Sequence, residues 1–100
     1  MYARLTTGQI QPGKLDEFIR IFESLTPQLN DVKGLVSMRL LVDRTANTAM
    51  AESLYATLAD MEAGTTLLQQ TLANPSVAAI LAAPPVIAVC EVAAQWAAHP

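Results

Sequence analysis

The sequence predicts an α+β domain of order β-α-β-β-α-β, and three observations carry that prediction. Runs rich in β-branched and aromatic residues, without a helical period, occupy residues 2–10, 35–43, 48–55 and 86–95. Between the first two runs and between the last two, apolar residues recur at three- and four-residue steps. Turn and cap residues fall at the junctions, among them Gln11-Pro12-Gly13, Gly34, Thr57 and Asn74-Pro75-Ser76.

The first strand ends at Gln11-Pro12-Gly13, and Pro12 suits the opening turn of a helix. The stripe Leu15, Phe18, Ile19, Phe22, Leu25 and Leu29 then gives that helix one apolar face. Asp16 and Glu17 sit in its first turn, where they complement the helix dipole. Pro27 predicts a kink or an end near Thr26, and Gly34 makes the connection to the second strand. That strand places Val36, Met38, Leu40 and Val42 on one face and Leu35, Ser37, Arg39 and Leu41 on the other. Residues 44–47 turn the chain back into the third strand. Thr57, with Asp60 three residues on, approximates a capping box for the second helix. Leu58, Met61, Leu68 and Leu72 supply that helix's inner face. Asn74 and Pro75 restart a short helix around Val77, Ile80 and Leu81, and Pro84-Pro85 ends it before the last strand.

This order is the split βαβ arrangement of ferredoxin-like domains. It implies an antiparallel sheet of order 4-1-3-2 with both helices on one face. Residues 1–96 form the expected single domain, and residues 97–100 an expected frayed tail. With 52% apolar and 15% charged residues in 100, the uncovered sheet face is itself apolar. A homodimer, with two sheets facing each other, is the expected way to cover it.

Charge and composition remove several function classes. The net charge is −3 and the six basic residues are scattered, so nucleic acid is not an expected partner. The apolar run from Val77 to Ala94 is cut by Pro84-Pro85, so neither half spans a bilayer as a helix. With no signal peptide visible at the N-terminus, the expected location is the cytoplasm. Cys90 is single and lies among β-formers, so a buried structural thiol is expected. The isolated glycines form no phosphate loop, and the single histidine, His99, allows neither a Ser/His/Asp set nor a metal cluster.

Three segments carry a family resemblance: QPGKLDEFIRIF after the first strand, VKGLVSMRLLVD into the second, and ESLYATLADMEAG into the second helix. Together they resemble the dimeric α/β-barrel domains grouped with antibiotic-biosynthesis monooxygenases. The resemblance implies a dimeric barrel and a cofactor-free oxygenase acting on a small aromatic or polyketide-like molecule. It also places Tyr55 where family members usually carry a Trp at the end of strand three, with Thr57 as the following cap. The haem-degrading branch uses an Asn near strand one and a His on the second helix. This sequence has neither, so no haem and no other cofactor is expected.

The candidate catalytic residues are Tyr55 and the four charges inside strands, Arg4, Arg39, Glu52 and Glu91. In the functional reading an arginine binds an anionic oxygen, and a desolvated carboxylate abstracts a proton. In the structural reading Arg4 pairs with Glu52 or Glu91, and Arg39 pairs with Glu52 across the hairpin. Tyr55 is likewise either a packing aromatic or a residue that orients a ligand. Thr6, Ser37 and Met38 are the candidate ligand-binding residues, as neutral polar groups and an adaptable thioether. Two functions follow. One is a cofactor-free monooxygenase for a phenolic substrate. The other is a non-catalytic dimeric barrel that binds small hydrophobic ligands or serves as a stress-associated protein.

Overall fold

The computed structural model describes residues 1–98. Its elements are β1 (Tyr2–Gln9), α1 (Leu15–Leu25), a 3₁₀ helix (Thr26–Asp31), β2 (Leu35–Asp43), β3 (Thr48–Tyr55), α2 (Leu58–Ala73), α3 (Pro75–Ala78) and β4 (Val86–Glu91). The strands form one four-stranded sheet of order β2-β3-β1-β4 with every neighbouring pair antiparallel. This is the α+β, ferredoxin-like arrangement expected from the sequence.

Alternation along β1 divides the sheet into two faces. Arg4, Thr6 and Gly8 are buried, whereas Ala3, Leu5 and Thr7 are half-buried. In the antiparallel register Arg4 lies opposite Ser53, Thr6 opposite Ala51 and Gly8 opposite Ala49, so these six residues share one face. Leu15 of α1 packs on that face with Ile10, Ala49 and Ile80, joined by Phe18, Ile19, Ile21, Leu40 and Leu81. Met61 and Gly64 are the buried residues of α2, and Met61 is 1% exposed.

The other face is open. Leu5, Met50, Leu54, Leu41 and Val86 lie on it by register, and Leu41 and Val86 are 43% and 69% exposed. The expected homodimer would cover this surface.

Local signals explain the helix boundaries. Thr57 has an extended backbone, and its hydroxyl accepts from the Asp60 N–H at 3.1 Å. The Asn74 side chain accepts from the Ser76 N–H at 2.9 Å and starts α3. The Pro27 signal appears as a change of helix type: α1 stops at Leu25, and the next six residues tighten into the 3₁₀ helix. Gly34 sits at φ 75°, and a Cβ there would strike the Asp60 side chain, so the turn into β2 requires glycine.

Four expectations are corrected. A β-bulge between Leu35 and Ser37 shifts the register, so Leu35 shares the helix-covered face with Met38 while Val36 is 54% exposed. Leu58, expected on the inner face of α2, is 39% exposed at the first turn. The last strand ends at Glu91 and not at residue 95, because its partner β1 begins at Tyr2; one further bond, Val92 N–H to the Met1 carbonyl at 2.9 Å, closes the ladder. Cys90 is exposed, because β4 is an edge strand and the helices leave all six of its residues exposed. Of the tail expected at residues 97–100, the last two lie outside the described residues, and His99 with them. Trp96, before it, is 85% exposed.

Candidate functional site

A cavity of about 120 Å³ lies between the helix-covered face of the sheet and the helices. Its floor comes from β1 and β3 through Arg4, Thr6, Gly8, Ala49 and Ala51. Small residues at four of those five positions leave the space that the helices roof over. Phe18, Phe22 and Leu25 of α1 and Leu68 and Leu72 of α2 form the apolar roof. The apolar stripe of α1 therefore lines a cavity as well as packing a core, which is why Phe18 and Phe22 remain half-buried.

One end of the cavity is polar. Tyr55 is 2% exposed, and its ring lies against α2 at Gly64, where any Cβ would run into the Tyr55 hydroxyl. Arg4 is 4% exposed, and its Cζ stands 5.4 Å from the centre of the Tyr55 ring. That distance is within the range of a cation–π contact. Its Nη1 donates to the Thr65 hydroxyl at 3.2 Å and to the Met61 carbonyl at 3.4 Å. Thr65 in turn donates to the same carbonyl at 3.1 Å, so Arg4 is tied to one turn of α2. Its Nε is buried without a partner. Beyond Arg4 and Tyr55, the polar lining among the described residues consists of Thr6, Gln28 and Thr71, with no carboxylate.

The structure brings four of the sequence-derived candidates together, Arg4, Tyr55, Thr6 and Met38, all of which line the cavity. It separates the others. Arg39 and Glu52 face each other across β2 and β3 on the open side, as a two-pronged ion pair with bonds of 3.0 and 3.2 Å. Ser37 is exposed on the same open side, opposite Leu54. Glu91 is exposed at the end of β4, opposite Tyr2. Arg4 reaches neither carboxylate. Its register partner is Ser53, so Glu52, one residue earlier, projects from the other face. Sequence reasoning missed Gly64, Thr65 and Gln28. The spacing Met61, Gly64, Thr65, Leu68 marks one face of α2, but nothing in it signals that Arg4 docks there.

No protein-family model matches the sequence, and no curated protein is significantly similar to it. Solved structures are similar in fold. A protein of unknown function from Nitrosomonas europaea superposes with a TM-score of 0.80 at 21% identity, over 98% of this chain and 95% of that one. A protein named as a candidate antibiotic biosynthesis monooxygenase from Caulobacter crescentus gives 0.72 at 23% identity, over 88% and 85%. The fold is the one these structures share. A variant of MhuD bearing two manganese protoporphyrin IX molecules per active site also superposes, at 0.80 with 10% identity over 98% and 100%.

Among the described residues no His or Cys lines the cavity of this chain to ligate a haem iron. Among the described residues no group of three or more His, Cys, Asp or Glu is placed to hold a metal ion, and no helix is long and apolar enough to cross a membrane.

Proposed function

We propose that this chain is a cofactor-free, monooxygenase-like protein that binds a small aromatic molecule between sheet and helices. The observation supporting this reading is the largely apolar cavity with Arg4 and Tyr55 at one end. The lining is mostly aliphatic and aromatic, which suits an apolar ring. Arg4 and Tyr55 orient the ring's oxygen substituent, while the apolar roof keeps water from the reacting carbon. The chemistry needs no external reductant. A hydroquinone and one O₂ give a hydroxyquinone and water, the ring supplying all four electrons.

Oxygen uptake with a panel of single-ring hydroquinones tests this reading. The expected result is one O₂ consumed per ring converted, with the rate lowered at least tenfold in Arg4→Met. Uptake no faster than autoxidation for the whole panel would defeat the oxygenase reading.

The second reading is a non-catalytic binding module, and one observation favours it: among the described residues no carboxylate or histidine lines the cavity to act as a base. Ligand binding without oxygen uptake is its expected signature. Under either reading we propose that a second copy of the chain covers the open sheet face, giving a homodimer in which the Arg39–Glu52 pair lies at or beside the interface.

A further inference from the structure

We propose that the cavity recognises a carboxylate, so that its ligand is an aromatic acid seated with its carboxylate on Arg4. This rests on the reading above that the cavity is the ligand site, and it adds the charge and the anchoring group. The first observation is an uncompensated buried charge. Arg4 is 4% exposed, and among the described residues no carboxylate lies within ion-pairing distance of it. A buried cation without a counter-charge is costly, and proteins rarely keep one without a partner.

The second observation is the arrangement of its donors. Nη1 is satisfied by the Met61 carbonyl and the Thr65 hydroxyl, and the Tyr55 ring stands beside the guanidinium. Nε has no protein partner and is closed off from water. Nη2 makes no hydrogen bond among the described residues. The edge of the guanidinium formed by Nε and Nη2 is the one whose two parallel N–H groups match the two oxygens of a carboxylate. α2 and Tyr55 hold the group by its other edge and its face, which leaves Nη2 as the donor a ligand reaches, with the unpartnered Nε beside it.

The third observation selects the type of anion. A phenol, with a pKa of about 10, stays protonated at neutral pH unless a base removes its proton. Among the described residues no carboxylate or histidine lines this cavity. A carboxylic acid is already ionised and needs no base. The remaining lining sets the rest of the ligand. Walls of Phe18, Phe22, Leu25, Leu68 and Leu72 suit an aromatic ring. A ring hydroxyl on such an acid, reaching the Tyr55 or Thr6 end, is compatible with the oxygenase reading.

Titration of the full chain with benzoate, benzamide, benzyl alcohol and hexanoate, followed by ¹⁵N and methyl chemical shifts, tests this. In the unmodified protein benzoate is expected to bind at least tenfold tighter than benzamide or benzyl alcohol, and tighter than hexanoate. The shifts are expected at Gly64, Thr65, Leu68 and Leu72. Arg4→Met is expected to bring benzoate and benzamide to parity, and Arg4→Lys to keep part of the preference. Should Arg4→Met fail to fold, the comparison of ligands in the unmodified protein still decides. Equal binding of the neutral rings and benzoate would overturn the carboxylate assignment while leaving the cavity reading intact. A preference for hexanoate would overturn the aromatic assignment. Shifts mapping elsewhere, or no binding by any of the four, would overturn this inference and the cavity reading together.

Discussion

Replacing Gly64 with alanine sets two effects of similar size against each other. At an exposed position in the middle of a helix such as α2, Gly→Ala stabilises by about 1 kcal/mol, because alanine restricts the unfolded chain and favours the helix. Here the new methyl meets a buried ring. Besides striking the Tyr55 hydroxyl, it would stand 2.9 Å from Cζ and 3.2 Å from Cε1. Tyr55 is 2% exposed and its ring is rigid, so relief requires moving the ring into the cavity or α2 away from the sheet. Overpacking of that kind costs about 1–3 kcal/mol. With two ring atoms and the hydroxyl oxygen in the way, a cost in the upper part of that range exceeds the helical gain. The expected net loss is about 1–2 kcal/mol, or a fall in Tm of roughly 5–15 °C for a domain of this size. Thermal and urea unfolding of Gly64→Ala, Tyr55→Phe and the double variant measure it. Removing the hydroxyl removes the closest contact, so Gly64→Ala is expected to cost about 1 kcal/mol less in the Phe background. A rise in Tm for Gly64→Ala, or an equal cost in both backgrounds, would refute the proposed packing of Tyr55 against α2.

Three further outcomes are expected. Asn47 holds φ 59° at the end of the β2–β3 turn and donates to the Ile10 carbonyl at 2.7 Å, so Asn47→Ala should lose about 2 kcal/mol and Asn47→Gly clearly less; equal losses in urea unfolding would remove the role given to the backbone. The Arg39–Glu52 pair is 64% and 29% exposed at its side chains in the single chain, so a double-mutant cycle at concentrations where the chain is monomeric should give a coupling of only about 0.2–1 kcal/mol that shrinks with salt, and neither single variant should change ligand affinity; a changed affinity would tie the open face to the cavity. Leu41→Lys places a charge on the open sheet face and should move the chain toward monomer in sedimentation equilibrium at micromolar concentration, whereas an unchanged mass would place the interface elsewhere.

The element order and most boundaries were legible in the sequence because they follow from short-range physics. Period-two runs, the 3.6-residue stripe of α1 and the side-chain caps at Thr57 and Asn74 act within a few residues of themselves, so the chain displays them directly. The charges inside strands could be found the same way, but not their partners. Whether Arg4 meets Glu52 depends on register parity between β1 and β3, and a slip of one residue would place both on one face. The bulge at Val36 likewise resets which β2 residues reach the cavity.

Tertiary structure alone decided that Arg4 turns inward to α2, that Tyr55 packs at Gly64, and that small residues of β1 and β3 leave a cavity beneath α1. These contacts join residues about 10 to 60 positions apart, and no local propensity encodes them. The sequence by itself determined which elements form and which faces are apolar. The packing of those elements determined which polar groups were left facing one another, and at Arg4 it left a buried charge whose fork no protein group fills.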